Sequence, residues 1–222
     1  MSHPVRRPLS RAEALSLSAA LTVLAIALPS SSYLNLLHEE YFQKVPGIGY
    51  HPHRFADLCL VAVGLVLTLP APRESGLCIG RIREHWKGVL LLTAGPVLLC
   101  ALVYPRLPER PFQGSDLSIW LTSPLAQDLI FGGVIYRLLR PHFSSYIHPR
   151  LPMEWVLPVG GLFFAGWHLQ NFNSFPAGYV LFQLAYTWAA FTIVGLTRQW
   201  TGSLLYVTLA HMAGNFVPWY VD

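Results

Sequence analysis

An all-α, polytopic bundle of about seven membrane-spanning helices is the fold class the sequence predicts, and three observations predict it. Apolar runs long enough, or nearly so, to cross a bilayer recur along the chain. Charged residues make up 12% of the 222 and hydrophobic ones 53%, against roughly 25% and 45–50% in a soluble domain. The charges are also segregated, clustering between the apolar runs. A single integral-membrane domain over residues 1–222 is therefore expected, with no internal repeat.

The first span is expected at about 15–37. Arg6, Arg7 and Arg11 precede it as they would a signal peptide, but its length is nearer a full span and no clear A-x-A cleavage site follows. The other spans fall at about 55–71, 87–105, 115–138, 154–172, 177–197 and 202–220. Connections rich in Pro and Gly separate several of them, such as Val45-Pro46-Gly47-Ile48-Gly49 and Pro70-Ala71-Pro72.

Lys and Arg orient the bundle. With the N-terminus in the cytoplasm, the inner segments hold Arg6, Arg7, Arg11, Arg73, Arg81, Arg83, Lys87, Arg137, Arg140, Arg150 and Arg198, and the outer ones only Lys44, Arg54, Arg106 and Arg110. That bias follows the positive-inside rule, and it assumes seven spans. The net charge of +4 is thus a matter of topology. Nucleic-acid binding is not expected, because the basic residues lie in short loops without aromatic interleaving. Cys59, Cys78 and Cys100 form no CxxC or Cys/His spacing, so neither a disulfide framework nor a zinc finger is indicated.

Polar residues inside apolar runs carry the functional signal. An ionisable group in a bilayer costs a few kcal/mol or more and marks a functional site by default. Asp128 is the only carboxylate near the middle of an apolar run, beside Gln127. Four residues beyond it Gly132, with Gly133, leaves a notch where a helix or a substrate backbone can approach. Phe164 and His168 share one face of the next helix, and His211 and Asn215 one face of the last. Each pattern alone also fits a satisfied structural residue. All three lie in the middle-to-outer half of the membrane under the topology above, which is the layout of one buried reaction centre.

Taken together in this order, the three segments resemble the CPBP group, the CAAX proteases and bacteriocin-processing enzymes. The pattern of that family is E-E-x-x-x-R, then F-x-x-x-H, then H-x-x-x-N/D. Phe164/His168 and His211/Asn215 match the second and third, and the resemblance runs over about residues 85–220. The first two helices add nothing diagnostic. The first motif departs: Gln127 stands where the family has the glutamate that activates water, Asp128 replaces the second acid, and Gly132 replaces the arginine. Glutamine can hydrogen-bond a water but cannot take its proton.

The resemblance implies an intramembrane endopeptidase with Gln127, Asp128, His168, His211 and Asn215 as its catalytic set, no cofactor and no metal. Either Asp128 is the general base with the histidines holding water and oxyanion, or a neutral histidine is the base and Asp128 orients it. A zinc held by the same three side chains is the metal alternative. The expected substrate is the C-terminal or juxtamembrane region of a membrane-associated protein, processed by a multi-pass protein of the cell membrane, bacterial inner membrane by preference. Two readings compete. One is a non-catalytic pseudoprotease that binds transmembrane segments as a scaffold or regulator. The other is a small transporter, which would more often show paired broken helices in related halves.

Overall fold

A computed structural model of the chain describes residues 8–28, 52–103, 116–173 and 175–216. The described residues are mostly helical. Helix α1 runs from Arg11 to Ala27, α2 from Pro52 to Thr68, α3 from Ile82 to Val103 and α4 from Asp116 to Gln127. A π-helical segment, Asp128–Ile135, continues α4 into α5, Tyr136–Phe143. Helix α6 spans Val156–Trp167 and runs into a 3-10 segment, His168–Asn173; α7 spans Ala177–Thr201 and α8 Leu205–Phe216. The all-α expectation holds but for one hairpin, β1 (Tyr146–His148) with β2 (Leu151–Glu154), paired antiparallel. The remainder of the first expected span, past Leu28, lies outside the described residues.

Local chemistry sets the ends of these elements. Ser10 and Glu13 form a capping box at the start of α1: the Glu13 N–H donates to Ser10 Oγ, and the Ser10 N–H donates to Glu13 Oε2 at 2.7 Å. At the other end of the chain Gly202 stops α7 with φ +77°, a left-handed cap that costs glycine little. Arg198, in the last turn of α7, is buried and donates to the carbonyls of Gly202 and Glu74. The turn after α2 is thereby fastened to the end of α7.

Packing brings the apolar helices together around aromatic rings. Helices α6 and α7 pack along their lengths, α2 lies against α4 and the π-helical segment, α3 against α7 and α8, and α1 against α5 and α6. The main core gathers Phe131, Leu157, Phe164, Trp167 and Phe191 with smaller apolar residues. Gly64 lets α2 approach the π-helical segment, since a Cβ there would fall 2.7 Å from Leu129 Cβ. Large apolar side chains also face outward on many helices, among them Val23, Val66, Leu91, Leu162, Leu181 and Leu209. Among the described residues one helix, Ala177–Thr201, is long and apolar enough to cross a membrane, with a mean hydropathy of 1.5.

Candidate active site

Asp128 begins the π-helical segment and is 1% exposed. The regular helix expected through 115–138 is therefore interrupted where the polar signature lies. Two sequence features favour the interruption: Pro124 supplies no N–H to the preceding turn, and Gly132-Gly133 relax the backbone that follows. The notch at Gly132 is filled, because a Cβ there would meet Leu204 Cδ1 at 2.6 Å. Gly133 in turn seats against Thr68 of α2. A neighbouring side chain, not open space, occupies the notch.

His211, on α8, lies with its Nδ1 3.3 Å from Asp128 Oδ1. When Asp128 is ionised it can only accept, and the proton of this contact then sits on the imidazole, with Nδ1–H donating. The other ring nitrogen, Nε2, is then the lone-pair nitrogen. In that state Asp128 would orient His211 and set its tautomer. His211 keeps 19% of its side chain exposed, whereas Asp128 keeps 1%.

Phe164 joins the two imidazoles. Its ring makes edge contacts with His168 and with His211, each with a centroid separation of 5.6 Å and planes at 82°. The imidazoles are accordingly no farther apart than twice that separation. Phe164 is itself held by stacking on Phe191 at 5.0 Å and by the edge of Phe131. His168 ends α6 and opens the 3-10 segment, so it sits at a helix terminus instead of a helix face.

Among the described residues, three buried polar atoms around this site have no hydrogen-bond partner: Gln127 Oε1, Asp128 Oδ2 and His168 Nε2. Buried polar atoms left in this way are uncommon in folded proteins. Asn215, by contrast, is exposed on α8, one turn beyond His211. The structure brings Gln127, Asp128, His168 and His211 into the interior and leaves Asn215 at the surface. Among the described residues, no group of three His, Cys, Asp or Glu side chains is placed to hold a metal ion.

Two further acids are buried, Glu154, which is paired to Arg140, and Asp57. Asp57 is 8% exposed, on the helix α2 that packs against α4. Asp128 is thus not the sole acid in the interior, and the second helix does contribute a polar group. Asp57 was hard to find because it lies three residues into its apolar run, where an acid ordinarily reaches water.

Residues 115–217 match the family model of the type II CAAX prenyl endopeptidase, Rce1-like. Over that segment the chain is similar to the Rce1-like family. No curated protein and no solved structure matches it. The Rce1-like segment contains Gln127-Asp128, Phe164/His168 and His211/Asn215, and its family comprises membrane proteases acting on membrane-associated proteins. Asp57 lies outside the Rce1-like segment.

Proposed function

We propose that the chain is an intramembrane endopeptidase that hydrolyses a peptide bond near the C-terminal or juxtamembrane region of a membrane-associated protein, using an activated water. The observation that carries this reading is the Asp128–His211 pair with Phe164 and His168 beside it. Of the two chemical routes, the pair favours the histidine as base. With Nδ1–H donated to Asp128, His211 Nε2 takes a proton from water as the oxygen attacks the peptide carbonyl. The same nitrogen returns the proton to the departing amine. Gln127 Oε1 accepts the second hydrogen of the water, and His168 Nε2–H donates to the oxyanion.

The surface supports a membrane setting. Outward apolar side chains on α1, α2, α3, α6, α7 and α8 are what lipid-facing helices require and what water penalises. The inner-side arginines expected from the sequence also converge: Arg81 donates to the Trp200 carbonyl, Arg198 to Glu74 and Arg137 to Ser75. A multi-pass arrangement with a cytoplasmic N-terminus accords with that basic end.

The second reading, a pseudoprotease that holds transmembrane segments without cutting them, is favoured by Gln127, which brings no acid to the site. Cleavage of membrane-anchored tails by the purified protein in detergent separates the two. Asp128→Asn keeps the shape of the side chain but removes the charge that fixes His211, and cleavage is expected to fall by roughly 10²-fold or more. Equal cleavage by wild type and Asp128→Asn would remove Asp128 from the mechanism. A wild type that cuts none of the tails, beside a Gln127→Glu variant that does, would establish the pseudoprotease.

A further inference from the structure

Helix α7 carries none of the three polar signatures, yet one stripe along it reaches both halves of the Phe164/His168 pair. Gln183, Thr187 and Phe191 recur every four residues and so share a helix face, and each is buried. Phe191 stacks on Phe164 at 5.0 Å. Gln183 reaches the other half: Asn171 Nδ2 donates to Gln183 Oε1 at 2.7 Å. The backbone under Gln183 is pinned in turn, its carbonyl accepting from Thr187 Oγ1 at 2.7 Å.

Asn171 lies three residues beyond His168, in the 3-10 segment that His168 opens. Residues i and i+3 of a 3-10 helix eclipse, so the two side chains leave the segment on the same side. Runs of this helix longer than three or four residues are uncommon, because their hydrogen bonds are poorly aligned. A segment of six residues therefore depends on bonds to its surroundings. The Asn171 side chain supplies one to α7, and the Asn171 carbonyl another, accepting from the Phe175 N–H at 2.9 Å.

We infer that Gln183 is a positioning residue for the candidate site: acting through Asn171, it fixes the 3-10 turn that begins with His168, and with it the direction in which His168 Nε2 is presented. The use of that nitrogen rests on the hydrolytic reading above, but its placement is a property of the resting protein. Among the described residues His168 Nε2 has no hydrogen-bond partner, so no bond at that nitrogen sets its aim. Phe164 bounds the ring on one side, and the turn that carries the ring sets the rest. Gln183 touches neither water nor substrate in this scheme.

The test reads the imidazole signals of His168 by magnetic resonance in uncut protein carrying isotope-labelled histidine, with kcat and KM for cleavage of a membrane-anchored tail. Those signals are assigned by their loss in His168→Gln. Gln183→Leu and Asn171→Ala each remove the bond, the second from its less buried side. Both should shift the His168 signals and lower kcat roughly tenfold while KM stays within about twofold, the signature of lost orientation at the reacting centre. The swapped pair Asn171→Gln/Gln183→Asn keeps two facing amides of the same combined length, and should return signals and kcat toward wild type. Trp188→Phe is the control for packing between α6 and α7. It removes only the Trp188 Nε1–H bond to the Pro158 carbonyl, and should leave both readings near wild type.

His168 signals that ignore Gln183→Leu and Asn171→Ala, or that move as far in Trp188→Phe, overturn the proposal. So does an unchanged kcat in the two single variants, or a swapped pair no nearer wild type than they are. If the wild type cuts no tail, the hydrolytic reading fails, while the imidazole signals still decide whether Gln183 sets the His168 turn.

Discussion

At Gly132 a single missing methyl group decides which site chemistry the bundle can accept. Leu204 lies where a Cβ would go, and behind it are Leu129 and Val207. Gly132→Ala is expected to cost about 1–3 kcal/mol as overpacking, softened because the clashing atom is the end of a leucine. Gly132→Arg should fare worse, since a guanidinium would enter a cluster made of aliphatic side chains. Restoring a glutamate and arginine at 127 and 132 therefore requires Leu204→Ala as well. Folded yield and thermal midpoint in detergent check this, and a Gly132→Arg midpoint equal to wild type would show that the arginine has room. Phe164 gives a second residue-scale prediction. It is 5% exposed and bears on both imidazoles, so Phe164→Leu should destabilise by about 1–2 kcal/mol and lower cleavage more than stability alone explains. Residue spacing made Phe164, His168 and His211 legible, because i,i+4 pairs in apolar helices share a face. It gave no warning about Asn215 at the surface or Asp57 in the interior, since burial near a helix end depends on what packs there.

Among the elements, the apolar runs located the helices well and their irregularities poorly. Helix α2 begins and ends within a few residues of the expected 55–71, and α7 extends the expected 177–197 by one turn. The π-helical segment was invisible because hydropathy there is uniformly high, and a widened turn leaves no mark on an apolar pattern. Its neighbours Pro124 and Gly132-Gly133 are a hint without a register. The β1–β2 hairpin was missed because it falls in a short polar stretch with no alternation long enough to read. Helix α1 was placed from its apolar run, but its start is set by Ser10 and Glu13. The Glu13 carboxyl is held below its usual 4.5 by the backbone N–H of Ser10 and then by its hydroxyl. A depressed folded value means that the contribution is complete above pH 4.5 and is lost as pH falls through that lower value. Amide exchange in the first turn of α1 should therefore quicken under acid, and in Glu13→Gln it should show less of that acid dependence. Identical acid responses in the two proteins would show that the carboxylate does not hold the cap.

For the whole molecule, orientation determines which substrates can reach the candidate site. The connection after α2 carries Arg73 and Arg81, with Arg83 in the first turn of α3, and its backbone is bonded to the far end of α7: Arg81 N–H donates to the Thr201 carbonyl, and Leu204 N–H to Gly76. Arg137, Arg140 and Arg198 belong to the same end, with Arg140 paired to Glu154 at 3.2 Å. In a cell membrane, the end that carries the excess of Lys and Arg ordinarily stays cytoplasmic. Helix α8 departs from this basic end at Leu205 and passes His211 on its way to the opposite face. A reporter fused after Asp222 should consequently be active on the non-cytoplasmic side, and so should one inserted near Gln113, ahead of α4. In that arrangement the site opens toward the outer half of the membrane, where the C-terminal anchor of an exported protein is within reach and a lipidated cytosolic tail is not. Cytoplasmic signals from both reporters would reverse the bundle, leaving the basic end outside and turning the site toward lipidated tails of the inner face. A cytoplasmic signal after Asp222 with an outer one near Gln113 would mean that one segment between them re-enters without crossing. The seven-span count would then fail, but Asp128 and His211 would remain partners, because their contact depends on helix packing and not on which side the chain ends.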